Sequence, residues 1–354
     1  PFVPIRVPPF MAVLSTTLTV QSQIVLHCLS IPTPFPVGPV NVYLSESGPL
    51  TLIDTGPKWD ESRAALEAAL AQHGHRLEDI RQLILTHHHV DHVGLAGEIA
   101  VRSGCEVLTH PRNTPWLMDY AAERARHLPF FHRIWEESGV PADIIAQMEA
   151  SGASMPKWAD PVTPTREIIE GDTLFISGAA WRVYHTPGHA GGLICLWEPG
   201  TRTLLASDHF IRDISSNPIL EPPSTMNGPR PKRLVEYLYH MQRMAELQPA
   251  RALPGHGEVI EDVTGLVRQR LAFHARRKER ILKMLEGHPQ TLWELTEASF
   301  SNRVMHGIDW FLGCSEILGH LDLLEADGVV RPVHHGRLVK WTKVSPTEHG
   351  PTAD

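Results

Sequence analysis

The chain has 354 residues, 42% of them apolar and 20% charged, with 22 histidines, 30 prolines and a net charge of −8. That composition suits a globular chain with a sizeable core, and at roughly 100–200 residues per domain the length allows two domains or one with an appendage. The negative charge excludes a molecule that binds nucleic acid over its whole surface. Cys28, Cys105, Cys195 and Cys314 lie far apart with no C-x-x-C pair, which fits reduced, mostly buried thiols and a cytoplasmic location. Residues 1–10 are apolar and proline-rich without a charged n-region, and no stretch reaches ~18 apolar residues, so neither signal peptide nor membrane span is expected. Met11 is a candidate natural start, with the first ten residues an extension.

In chain order, residues 41–44 and 50–54 predict two strands around the turn Glu46-Ser47-Gly48. Residues 59–73 place Leu66, Ala69 and Leu70 at helical spacing, stopped by Gly74. A short strand over 81–86 leads into a histidine-rich loop, a helix over about 95–102 and a strand over 106–109. Residues 110–164, with Trp116, Tyr120, Phe130, Phe131, Trp135 and Trp158, read as a helical insertion. Strand signals return at 173–177, 181–185, 193–197 and 203–206, then a helix over 233–247 and a strand over 250–253. Beyond Gly257 the order is helix (264–285), a capping box at Thr291 and Glu294 opening a short helix, helix (310–326), then a hairpin turning at His335-Gly336. That is winged-helix order. The expected domains are a catalytic one over 1–263 and a winged-helix-like one over 264–354.

The chemistry is carried by His87-x-His89-x-Asp91-His92, directly after an apolar strand. A chain leaving a sheet edge can point alternate residues to one side, so His87 and His89 converge on one ion. The next turn brings Asp91 and His92 to a second. Imidazole and carboxylate suit zinc and similar borderline ions. A histidine-rich surface loop is the usual reading of any one of these residues, but not of four metal-type ligands in this order. Three further strand ends supply the remainder: His189 in Thr186-Pro187-Gly188-His189, Asp208 after Ser207, and His256 in Pro254-Gly255-His256-Gly257. Each alone is weak; together they complete one shell of three histidines and one of two histidines with Asp91, with a carboxylate to share.

This order of motifs resembles the metallo-β-lactamase superfamily over about residues 25–260. The resemblance implies an αββα sandwich with the metal site at one edge of two sheets. It gives His87, His89 and His189 to the first metal, Asp91, His92 and His256 to the second, and Asp208 to the bridge. Asp54 matches an early aspartate that supports the ligands. Ser207 stands where the family commonly has glycine. The C-terminal addition is similar to the lactamase-beta-like hydrolases, a branch that includes an endoribonuclease. The expected cofactors are two divalent ions, zinc foremost with Mn2+ or Fe2+ as alternatives, and water activated between them. Asp91 and Asp208 are the candidate catalytic carboxylates; Trp116, Tyr120, Phe131, Ser215 and Asn217 are candidate substrate contacts. The expected substrate is a small acyl compound (thioester, ester or lactone), with single-stranded RNA as the alternative. No membrane partner is expected, and a homodimer is compatible with the C-terminal region.

Overall fold

The computed structural model describes residues 15–20, 24–216, 218–223, 225 and 228–344; the candidate start at Met11 and the candidate contact Asn217 lie outside them. The chain divides into two compact units. The first takes its described residues from the chain up to Arg126, from Ser154–Ser216 and from Tyr239–Val267. The second takes His127–Ala153, residues 218–238 and the chain from Arg268 onward.

In the first unit a seven-stranded sheet carries, in this order, β1 (Ser15–Val20), β2 (Ile24–Ile31), β3 (Val40–Ser45), β4 (Thr51–Ile53), β5 (Gln82–Leu85), β6 (Glu106–Thr109) and β7 (Arg166–Glu167). β1 to β4 pair antiparallel, and β4 to β7 parallel. A five-stranded sheet contains β8 (Thr173–Ile176), β9 (Ala179–His185), β10 (Ile194–Glu198), β11 (Thr203–Ser207) and β12 (Arg251–Pro254). It is antiparallel apart from the pair β11–β12. The helices up to the C-terminal region are α1 (Asp60–Gln72), α2 (Val90–Val93), α3 (Ala96–Ser103), α4 (Thr114–Met118), α5 (Tyr120–Glu137), α6 (Ala142–Ala153), α7 (Arg233–Glu246) and α8 (Val263–Met284).

Successive strand residues face opposite ways, and the burial follows. Leu26, Tyr43, Ile53, Ile84 and Leu108 meet Trp181, Val183, Leu196, Leu205 and Leu253 between the two sheets. Their neighbours Leu29, Val42, Leu44, Leu52, Leu83 and Val107 turn the other way, onto Leu66 and Leu70 of α1 and Ile99 of α3. Beside the second sheet, Met241 and Met244 of α7 are buried and Arg243 lies over the Tyr184 ring at 5.1 Å. The layers are the expected helix, sheet, sheet, helix. α1 ends as its sequence predicts: Gly74 adopts φ 78, its amide reaches the Ala71 carbonyl at 3.0 Å, and the His75 amide reaches Leu70 at 3.0 Å.

The second unit has its own core, including Trp135, Ile145, Ile281, Leu295, Ile317, Leu321 and Trp341. Its C-terminal part adds β13 (Gln290–Thr291), α9 (Leu292–Phe300), α10 (Ile308–Ala326), β14 (Val330–His335) and β15 (Leu338–Lys343). The last strands form a three-stranded sheet in the order β13-β15-β14. The capping box closes, with the Glu294 amide donating to Thr291 Oγ1 at 3.1 Å and the Thr291 amide to Glu294 at 2.7 Å. Among the described residues no helix is long and apolar enough to cross a membrane.

Candidate metal centre

The C-terminal ends of β4, β5, β9, β11 and β12 deliver the site: Asp54 follows β4, His87 to His92 follow β5, His189 follows β9, Asp208 follows β11 and His256 follows β12. The two sheets are joined there, since the Ile194 amide of β10 donates to the Thr86 carbonyl at 3.0 Å.

Three imidazoles converge on one point. His89 Nδ1 lies 3.0 Å from His87 Nε2 and 2.9 Å from His189 Nε2. A tetrahedral ion with metal–nitrogen bonds of 2.0–2.1 Å sets its donors ~3.3 Å apart, so the spacing fits. Beside them, His256 Nε2 stands 3.3 Å from Asp91 Oδ2, and His92 Nε2 stands 3.3 Å from Asp208 Oδ1. Asp208 Oδ2 lies 3.4 Å from His189 Nε2 and 3.6 Å from His256 Nε2, so this carboxylate faces both groups. Geometrically the donors fall into clusters: His87, His89 and His189; Asp91, His92 and His256; and His87, His92 and Asp208.

The other ring nitrogens of His87, His92 and His256 are tied down, which fixes what these rings present. His92 Nδ1 is 2.8 Å from Asp54 Oδ2, His256 Nδ1 is 2.8 Å from the Pro39 carbonyl, and His87 Nδ1 is 3.1 Å from Thr86 Oγ1. Each arrangement leaves Nε2 inward. His92 Nε2, His256 Nε2 and Asp208 Oδ1 are buried and make no hydrogen bond. Buried polar atoms without partners are costly, and a divalent cation is what this set of donors suits.

Burial, reinforced by the neighbouring imidazoles, holds His87 and His89 well below the ordinary histidine value. Burial acts the same way on His92 and His256, but Asp208 and the other carboxylates outweigh it and raise both, His92 the more. Burial opposes ionisation of Asp91, yet His92 and His256 bring its carboxyl down to about 2. Asp208 is likewise held below the usual carboxylate range, by His256 and His92 against the effect of burial.

The backbone is bent to this purpose. Asp54 adopts φ 62 and Ser207 φ 46, both in the left-handed region. Ser207, where glycine is the family habit, offsets that strain with a hydroxyl 2.8 Å from Thr86 Oγ1. Gly255 has no substitute: a Cβ there would fall 2.1 Å from Asp208 Oδ1.

Of the candidate substrate contacts, Trp116 stacks on His88 at 4.6 Å and 13°, and Tyr120 lies 4.9 Å from Trp116. His88 thus carries an aromatic wall immediately beside His89. Phe131 belongs to the second unit, where it stacks with Trp135 and meets Phe311 edge-on. Ser215 is half-buried, next to Ser216, whose hydroxyl donates to the Asp208 carbonyl. Sequence reasoning passed over Thr86, whose hydroxyl is within 3.1 Å of Asp54, His87 and Ser207. It also passed over Asn41 and Tyr43, which donate to the Pro254 carbonyl at 3.0 and 2.7 Å and hold the His256 loop. Thr86 follows the strand directly and could have been noticed; Asn41 and Tyr43 act across more than 200 residues and leave no local signal.

Residues 35–256 match the family model of the metallo-β-lactamase superfamily. The protein "Probable metallo-hydrolase YqjP" of Bacillus subtilis (strain 168) is 36% identical over 312 residues, covering 88% of this chain and 95% of its own length. The crystal structure of a metallo-beta-lactamase family protein from Thermus thermophilus superposes with a TM-score of 0.73 at 28% identity, over 90% of this chain and 98% of that one. A Claviceps purpurea (strain 20.1) protein named atrochrysone carboxyl ACP thioesterase is 25% identical over 126 residues, 36% of each chain. Fold, donor set and relatives define a metal-dependent hydrolase. The chain belongs to the metallo-β-lactamase superfamily.

Proposed function

We propose that the chain is a binuclear zinc hydrolase of acyl substrates: a thioester, ester or lactone. The observation that carries this reading is the shared carboxylate, since Asp208 faces His92, His189 and His256 at 3.3–3.6 Å. His87, His89 and His189 would hold one ion, Asp91, His92 and His256 the other, with Asp208 serving both. When bound, the two ions supply Lewis acidity and lower the pKa of a water towards neutrality. Asp91 is the more exposed of the two catalytic carboxylates, its side chain 14% accessible, and it orients the attacking water. The wall of His88, Trp116 and Tyr120 offers an apolar and aromatic surface to an acyl chain, with Ser215 as a polar contact. The relative named as a thioesterase supports the same substrate class.

The C-terminal order of helix, strand, helix, helix and hairpin supports a winged-helix reading, which we assign an architectural or dimerising role. Segment 309–327 carries no Lys or Arg, whereas a reading helix needs them near phosphates and base edges. Three of the basic residues nearby are engaged in ion pairs: Arg277 with Glu316, Lys278 with Asp327 and Lys343 with Glu286. A cytoplasmic setting is supported by thiols kept inert by burial, which pushes Cys28 up to about 11 and Cys195 up to about 12.

The test compares kcat/KM for acyl thioesters, esters and lactones with cleavage of single-stranded RNA. An acyl substrate should be preferred, and His89→Ala should abolish its turnover. RNA cleavage abolished by the same substitution and unmatched by any acyl compound would reverse the assignment. A mass measurement in solution, beside titration with duplex DNA at two salt concentrations, addresses the C-terminal role. Sequence-specific binding that survives physiological salt would overturn it.

A further inference from the structure

A second group of metal-type donors lies at the opposite end of β3 from the hydrolytic centre. Val40, the first residue of β3, bridges to His256. Glu46 directly follows its last residue, six residues along, which at ~3.4 Å per residue is about 20 Å away. There Glu46 Oε2 is 2.7 Å from His27 Nε2 and 3.7 Å from His73 Nδ1, while Oε1 is 2.9 Å from His75 Nε2. The donor atoms of His27, Glu46 and His73 all lie within 4.8 Å of one another.

Three separate rigid elements present these donors. His27 sits within β2, paired in register with Leu44 of β3. Its odd position puts it on the sheet face that packs against α1, the face of Leu29 and Ile31. His73 and His75 flank Gly74 in the closing turn of α1, and both of their amides reach the Leu70 carbonyl at 3.0 Å. That double anchorage sets the two imidazoles on one side of the helix end. The rings of His27 and His73 are 4.1 Å apart. Glu46 Oε2 stands 2.7 and 3.7 Å from the imidazoles of His27 and His73, spacings that bracket the ~3.3 Å between donors of a tetrahedral ion, while His75 holds the other oxygen at 2.9 Å.

We propose that His27, Glu46 and His73, with His75 holding the other oxygen of Glu46, form a separate site for one divalent transition-metal ion, which pins the end of α1 to β2 and to the turn after β3. The imidazole-rich set selects a borderline ion such as zinc over magnesium or calcium.

The experiment uses the full chain, stripped of metal and reloaded from a buffered zinc solution, with bound metal counted by elemental analysis. The double substitution His73→Asn with His75→Gln should hold one zinc equivalent fewer than the unaltered chain. Glu46→Gln, which keeps the size of the side chain and disturbs folding least, should bind that equivalent at least tenfold more weakly. The equivalents held by the hydrolytic centre should be unchanged in both, because none of these residues touches it. Unchanged stoichiometry and affinity in either variant would show that the cluster is an ion-pair network without a metal and would overturn the proposal. If the double variant does not fold, Glu46→Gln alone decides.

Discussion

The two halves of the hydrolytic centre are built on opposite principles. The half made of His87, His89 and His189 is a set of imidazoles among which burial and mutual proximity push His87 and His89 away from charge. The half made of Asp91, His92 and His256 is a knot of charge, its carboxylates held down and its imidazoles held up. The first half presents lone pairs ready for an ion. In the second half the carboxylates favour the charged form of His92 and His256, so protons compete there with a bound cation. Asp208 faces both.

The largest expected effect therefore comes from Asp208→Ala. It should weaken metal retention in both halves by more than the 10–100-fold typical of removing a supporting partner. Elemental analysis after dialysis reads this directly; loss confined to one half would break the picture of a shared carboxylate.

Asp54→Asn should act unevenly. Asp54 binds His92 Nδ1 directly but reaches His87 only through Thr86. A loss of roughly 10–100-fold in affinity is expected in the carboxylate half, with less in the other. Equal weakening, read by competition with a chelator, would mean that Thr86 transmits as much as the direct bond.

Acid should separate the halves next. The raised values of His92 and His256 mean that protons compete with the ion already above the ordinary imidazole range, whereas His87 and His89 resist protonation to lower pH. Bound metal should thus fall in two steps as pH is lowered, the carboxylate half first, by up to about tenfold in affinity per pH unit for each proton displaced. Simultaneous release, or release from the three-histidine half first, contradicts the assignment.

The smallest effect concerns Ser207. Ser207→Ala keeps the strain of φ 46 but loses the hydroxyl contact with Thr86, and should destabilise by about 1–2 kcal/mol. Ser207→Gly loses the same contact and relieves the strain, so it should be more stable than the alanine variant by about 1 kcal/mol. Thermal unfolding ranks the two; the reverse order would show that the backbone there is not strained.

Much of this was readable in the residues because the ligands come in short clusters at strand ends, where one turn places several donors together. The side chains of His87, His89, Asp91, His92, His189, Asp208 and His256 lie together in the structure, and Asp54 stands 2.8 Å from His92 Nδ1. The element boundaries of α1, β6 and α10 followed from local periodicity and from stops such as Gly74. β2 was not recognised, because Leu26 and Leu29 are buried on opposite faces and erase the alternation that marks a half-exposed strand. The grouping of residues 127–153 with the C-terminal region depends on long-range packing that no local pattern encodes. The inward Nε2 of His87, His92 and His256 was equally invisible, since it is set by Thr86, Asp54 and the Pro39 carbonyl.

The bond between His256 and the Pro39 carbonyl joins groups 217 positions apart in the chain. A ribosome must add all of the intervening chain before that partner exists. Asn41 and Tyr43, which grip the same returning loop, must wait as long. The earliest strands are thus completed by nearly the last segment of the first unit, a pairing that makes closure slow because so much chain is looped out. Its formation reports that both sheets have been assembled.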